Sequence, residues 1–75
     1  MDFPIYRKYI GIDVWFKIES TTEFTEIKKM GSRFLNTKIT ATIFPEKQFI
    51  QDMIQCYEKR WEIISEKDFN QLIID

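Results

Sequence analysis

The chain has 75 residues, 44% of them hydrophobic and 16% aromatic, with two glycines and two prolines. That is too apolar for disorder and leaves room for one domain, residues 1–75, burying about 63% of its unfolded surface, near the lower limit for unaided folding. The absence of histidine and a single cysteine, Cys56, exclude a Ser-His-Asp or Cys-His triad, a Cys/His zinc site, a haem histidine and an intramolecular disulfide.

In chain order, residues 3–9 and 14–19 are rich in aromatic and β-branched types and flank Ile10-Gly11-Ile12-Asp13, which predicts a β-hairpin. With Gly11-Ile12 as its loop, Tyr9 faces Val14, Lys8 faces Trp15, Arg7 faces Phe16, Tyr6 faces Lys17 and Ile5 faces Ile18. The two-residue period then puts Phe3, Ile5, Tyr9, Val14, Phe16 and Ile18 on a core face. Tyr6, Lys8, Trp15, Lys17 and Glu19 fall on the other.

Ser20-Thr21-Thr22-Glu23 reads as a capping box opening a helix of about ten residues. Phe24 and Ile27 are then three apart on its inner face, Lys28 and Lys29 lie near its negative end, and Gly31 ends it. From Ser32 to Phe44 the pattern alternates, Leu35, Ile39, Ala41 and Ile43 against Asn36, Lys38, Thr40 and Thr42, which predicts a long half-exposed strand. Pro45 stops it and fits the first turn of a second helix, with Glu46 at the positive end and Phe49, Ile50, Met53, Ile54 and Tyr57 as the apolar stripe.

Residues 60–64 read as a short fourth strand, and Ser65-Glu66-Lys67-Asp68 as the cap of a final helix carrying Phe69, Leu72 and Ile73. The expectation is an α+β fold in the order ββαβαβα: a mainly antiparallel sheet of about four strands with its helices packed on one face. Ser20-x-x-Glu23-Phe24-x-x-Ile27 and Ser65-x-x-Asp68-Phe69-x-x-Leu72 echo one another, as two strand-to-helix junctions with the same capping and docking needs would.

Catalytic equipment is scarce. Cys56 has no histidine to activate it, and Lys59 and Arg60 follow it toward the helix end whose dipole disfavours a thiolate, so it reads as a packed, inert thiol. The carboxylate pairs Glu23 with Glu26 and Glu62 with Glu66 have capping or surface roles, and two isolated glycines make no phosphate loop. No enzyme activity, cofactor or metal is expected.

The second sheet face stands out, with Tyr6, Lys8, Trp15 and Lys17 from the hairpin and Lys38 from the long strand. Aromatic residues among lysines suit a protein contact or self-association, and equally suit stacking of single-stranded nucleic acid. Without a partner, Tyr6 and Trp15 would pack over the lysine stems, or under the last helix with Trp61. Residues 1–40 carry seven basic and five acidic groups and residues 41–75 four and seven, so the net charge of −1 weighs against nucleic acid. The favoured reading is a non-catalytic binding or assembly module using this face, with homo-oligomers or other proteins as partners. A single-stranded nucleic-acid module and a small carboxylate enzyme are the alternatives, in that order.

Asp2, Arg7 and Lys8 break up the signal-peptide pattern, and apolar runs such as Val14-Trp15-Phe16 are far below the ~20 residues of a membrane span. The expected location is the cytoplasm, with no membrane partner. The combination Phe3-Pro4-Ile5-Tyr6-Arg7-Lys8-Tyr9, Phe16-Lys17-Ile18 and Ser20-x-x-Glu23-Phe24 resembles short uncharacterised bacterial proteins built as single α+β domains. That resemblance implies a bacterial cytoplasmic origin and carries no activity or site residue with it.

Overall fold

In the computed structural model, which describes residues 2–72, a five-stranded antiparallel sheet is covered by one helix on each face. The strands are β1 (Ile5–Tyr9), β2 (Val14–Ile18), β3 (Glu23–Met30), β4 (Arg33–Thr40) and β5 (Trp61–Ile63), in the spatial order β4-β3-β2-β1-β5. Helix α1 (Phe44–Gln55) lies between β4 and β5 in sequence, and helix α2 (Glu66–Asn70) follows β5. The α+β class holds; the order is ββββαβα, with five strands and helices on both faces, in place of ββαβαβα with helices on one.

The hairpin has the expected register, Ile5 opposite Ile18 through Lys8 opposite Trp15. Its four-residue connection turns at Gly11, whose φ of +79° lies in the left-handed region that glycine tolerates. The α1 face gathers Val14, Phe16, Ile18, Phe24, Ala41, Ile50, Met53 and Trp61, with Phe3, Ile5 and Tyr9 packed around them. The core face read from the alternation is therefore the one that α1 covers.

The predicted first helix is β3. Phe24 and Ile27, three residues apart, are not on one side of a helix but on opposite sides of a strand: Phe24 packs on Phe16 and Phe49 beneath α1, and Ile27 packs with Tyr6 and Phe69 beneath α2. A strand buried on both faces loses the two-residue alternation, and a three-residue spacing then imitates a helix. Ser20 still accepts a backbone N–H, but from Thr22, at 3.1 Å, inside the turn that leads into β3. Gly31 ends no helix; at φ +64° it takes the first position of the two-residue turn between Met30 and Arg33.

Pro45 and Glu46 stand in the first turn of α1, and the Glu46 carboxylate accepts the backbone N–H groups of Thr42 (3.1 Å) and Ile43 (3.3 Å). Tyr57 lies beyond the helix, in a 3₁₀ turn, and is exposed. At the other end of α1, Cys56 closes the helix in the left-handed conformation, φ +53°. The last turn of α1 contains no basic side chain; Arg7 supplies one from β1, donating through Nε to the Met53 carbonyl (3.0 Å) and through Nη2 to that of Ile54 (2.9 Å). The Ser65 cap is as predicted: its hydroxyl accepts the Asp68 N–H at 3.0 Å and opens α2. Ile73, expected in that helix, lies outside the described residues. Among the described residues, no helix is long and apolar enough to cross a membrane.

Candidate interaction surface

The second sheet face exists, with Tyr6, Lys8, Trp15, Lys17 and Lys38 all on it, but it is not free. Alpha-helix α2 lays Phe69 over its middle, against Tyr6 at a ring separation of 5.2 Å, and Tyr6 is left 8% exposed. Burial, and then the nearby Glu66 and Glu19 carboxylates, push the Tyr6 phenol above its ordinary pKa. Trp15 is half-buried, 6.0 Å from the Phe34 ring. Trp61, which the sequence suggested as part of this cover, lies on the opposite face in β5. There it stacks on Tyr9 at 5.4 Å and meets Phe49 edge-on at 5.7 Å.

Two lysines of this face, Lys8 and Lys38, are also engaged. Lys8 Nζ donates to the Tyr9 and Ile12 carbonyls (2.9 and 3.1 Å), tying down the hairpin connection, and lies 5.6 Å from the centre of the Trp15 ring. Lys38 stands 3.7 Å from Glu19 and 3.7 Å from Glu23, so its charge is met by two carboxylates on the same face. Lys17 is half-buried.

The open surface is at the sheet edge. One edge is β5, three residues long; the other is β4, eight residues with no proline and exposed along most of its length. The Ala41 N–H donates to the Thr22 carbonyl at 2.6 Å, which fixes the odd-numbered residues of this segment as the ones bonded to β3. The Lys29 N–H bonded to the Asp13 carbonyl (3.0 Å) gives β3 the same phase, since Lys29 is turned toward β2 and its even-numbered neighbours toward β4. The backbone N–H and C=O groups of Phe34, Asn36, Lys38 and Thr40 therefore point outward, a ready template for another strand.

Beside this edge, on the α1 face, Phe24, Ile39, Pro45, Glu46 and Phe49 line a mainly apolar groove of about 310 Å³. Leu35, on the same face of β4, is 52% exposed. Ile39 reads as core from the alternation, and so did Leu35; only the position of β4 at the sheet edge, which no local pattern encodes, leaves Leu35 uncovered. Among the described residues no group of three or more Cys, Asp or Glu side chains converges as a metal site. Comparisons with protein families, with curated proteins and with solved structures found no match to this chain.

Proposed function

We propose that this chain is a non-catalytic assembly module that engages another protein strand along β4. The observation that carries this reading is the uncovered eight-residue edge, with the hydrogen-bonding groups of Phe34, Asn36, Lys38 and Thr40 directed outward beside an apolar groove. Proteins usually blunt such edges with proline, a bulge, a short strand or unpaired charge. Beta-strand β5 is short, whereas β4 has only Arg33 near its start and Lys38, whose charge Glu19 and Glu23 offset. Main-chain pairing at an edge supplies affinity, and the side chains on either side of it supply selectivity.

Relative to the expectation from sequence, the working surface moves from the middle of the aromatic face to its rim, because α2 occupies the middle. The test is the solution mass at rising concentration, by light scattering after size exclusion, for the parent chain and for Asn36→Pro. Proline at 36 removes an outward N–H and no bond to β3, so the monomer keeps its ladder while the edge is blocked. Association of the parent that Asn36→Pro abolishes supports the reading; a parent that stays monomeric at millimolar concentration, or a variant that associates equally well, refutes it.

A further inference from the structure

We infer that the strand taken up by β4 is the β4 of a second copy, paired antiparallel about a two-fold axis at Thr37, with Leu35 of each copy seated at Ile39 and the mouth of the other's groove. This rests on the edge-pairing reading above and adds the partner and the register. An isologous contact must be self-complementary, so a candidate axis can be tested residue by residue.

Because Phe34, Asn36, Lys38 and Thr40 carry the outward groups, they must bond to each other's counterparts, and the axis falls on or between them. Axes near either end of β4 shorten the ladder, and an axis at Lys38 also sets two ammonium groups directly opposite each other, which is destabilising. Two central positions remain. An axis at Asn36 places Leu35 opposite Thr37 and Arg33 opposite Ile39, so that neither apolar side chain meets an apolar partner. An axis at Thr37 places Leu35 opposite Ile39 twice over, with Thr37 opposite its own copy, Asn36 opposite Lys38 and Phe34 opposite Thr40.

Of these two central axes, only the one at Thr37 matches apolar to apolar on the α1 face, and it leaves no like charges opposed. In that register Leu35 and Ile39 form a pair without direct hydrogen bonds, the class in which opposed side chains approach most closely. The exposed Leu35 side chain and the groove lined by Ile39, Phe24 and Phe49 then account for each other. Lys38 keeps Glu19 and Glu23 as partners and faces a neutral asparagine across the junction.

Cross-linking tests the register directly. In a Cys56→Ser background, Asn36→Cys, Thr37→Cys and Lys38→Cys are oxidised under mild conditions and resolved without reductant. Only residues facing their own copy across the axis come within the Cα separation a disulfide needs, so Thr37→Cys is expected to cross-link about tenfold faster than the other two. Leu35→Asp, a change at an exposed position, is expected to weaken association of the uncross-linked chain about tenfold by placing a carboxylate at the groove. Fastest cross-linking at Asn36→Cys or Lys38→Cys overturns the Thr37 register while leaving edge pairing in place. Association by light scattering with no cross-linking at any of the three overturns β4 self-pairing, and a strict monomer overturns the parent reading as well.

Discussion

Arg7 is the side chain through which the sheet holds the end of α1, and its removal measures how much of the fold depends on that link. It sits on the α1 face of β1, opposite Phe16 and Ile63, where an alternating strand would ordinarily place an apolar residue. Its guanidinium bonds the carbonyls of Met53, Ile54 and, from its own strand, Tyr6 (2.8 Å). A hydrogen bond to a charged group contributes about 1.5–3 kcal/mol, and a cation at a helix C-terminus about 0.3–1 kcal/mol. Arg7 is half-buried, so the carbonyls it leaves would be partly rehydrated, and the net loss for Arg7→Ala comes to about 2–3 kcal/mol. For 75 residues the whole stability is about 4–11 kcal/mol, so this is a large share of it. Arg7→Lys keeps the charge but cannot bridge two carbonyls with a planar fork, and should lose about half as much. Urea unfolding of the three proteins, monitored by far-UV circular dichroism, gives the values; with a slope near the small-protein value, Arg7→Ala shifts the midpoint down by about 2 M. A shift under about 0.5 kcal/mol for Arg7→Ala, or an Arg7→Lys variant as unstable as Arg7→Ala, would refute the helix-tethering role.

Three further outcomes follow from the same contacts. The Tyr6 phenol is raised above its ordinary value of 10.0, chiefly by burial, so the folded chain holds a proton that the unfolded chain releases near pH 10. Its contribution is constant below that pH and is lost as pH climbs through the raised folded value; urea midpoints of parent and Tyr6→Phe should keep a fixed offset up to about pH 10 and move in the variant's favour above it. Parallel alkaline decline in both would contradict this. Cys56→Gly relieves a left-handed residue at the end of α1 and should raise stability by about 0.5–1 kcal/mol after the greater backbone entropy of glycine is counted, read as a higher melting temperature; an unchanged or lower value would mean that the packing of the thiol outweighs the strain. Titration with labelled single-stranded oligonucleotides at low salt should show no binding, because Lys8 and Lys38 already have partners; salt-sensitive binding lost in Trp15→Ala would revive the nucleic-acid reading.

Helix α1 is legible in the sequence because it buries one side and so keeps a clean period, and the hairpin because the turn at Gly11 fixes its register whichever faces are covered. Tyr6 and Trp15 lacked a core position only while the sheet was given one covered face; α2 makes a second, smaller core from Tyr6, Ile27 and Phe69. The paired motifs at Ser20 and Ser65 show what a local pattern leaves open. Phe24 and Phe69 are both buried, at 3% and 1% exposure, yet the first follows a turn into a strand and the second lies in a capped helix. What separates them is tertiary: β3 has β2 and β4 to bond on either side, while the segment after Ser65 pairs with no strand and satisfies its backbone locally in a capped helical turn. Arg7 was hidden because its partners are backbone carbonyls some 46 residues away, which side-chain patterns do not register; the one hint is the lack of a basic residue in the last turn of α1. The alternation of β4 is legible as a long half-exposed strand, whereas its place at the sheet edge needs the strand order, and the groove needs the placement of α1 over Phe24 and Ile39.

Amide hydrogen exchange along β4 tests the central claim most directly, because the strand contains its own control. The N–H groups of Leu35, Thr37 and Ile39 point to β3 and should be protected at every concentration. Those of Phe34, Asn36, Lys38 and Thr40 point outward, and the account predicts that they exchange freely in dilute chain and gain protection together as concentration rises, an alternating pattern confined to this edge. Outward amides that exchange at the unprotected rate at every concentration up to the millimolar range would contradict it.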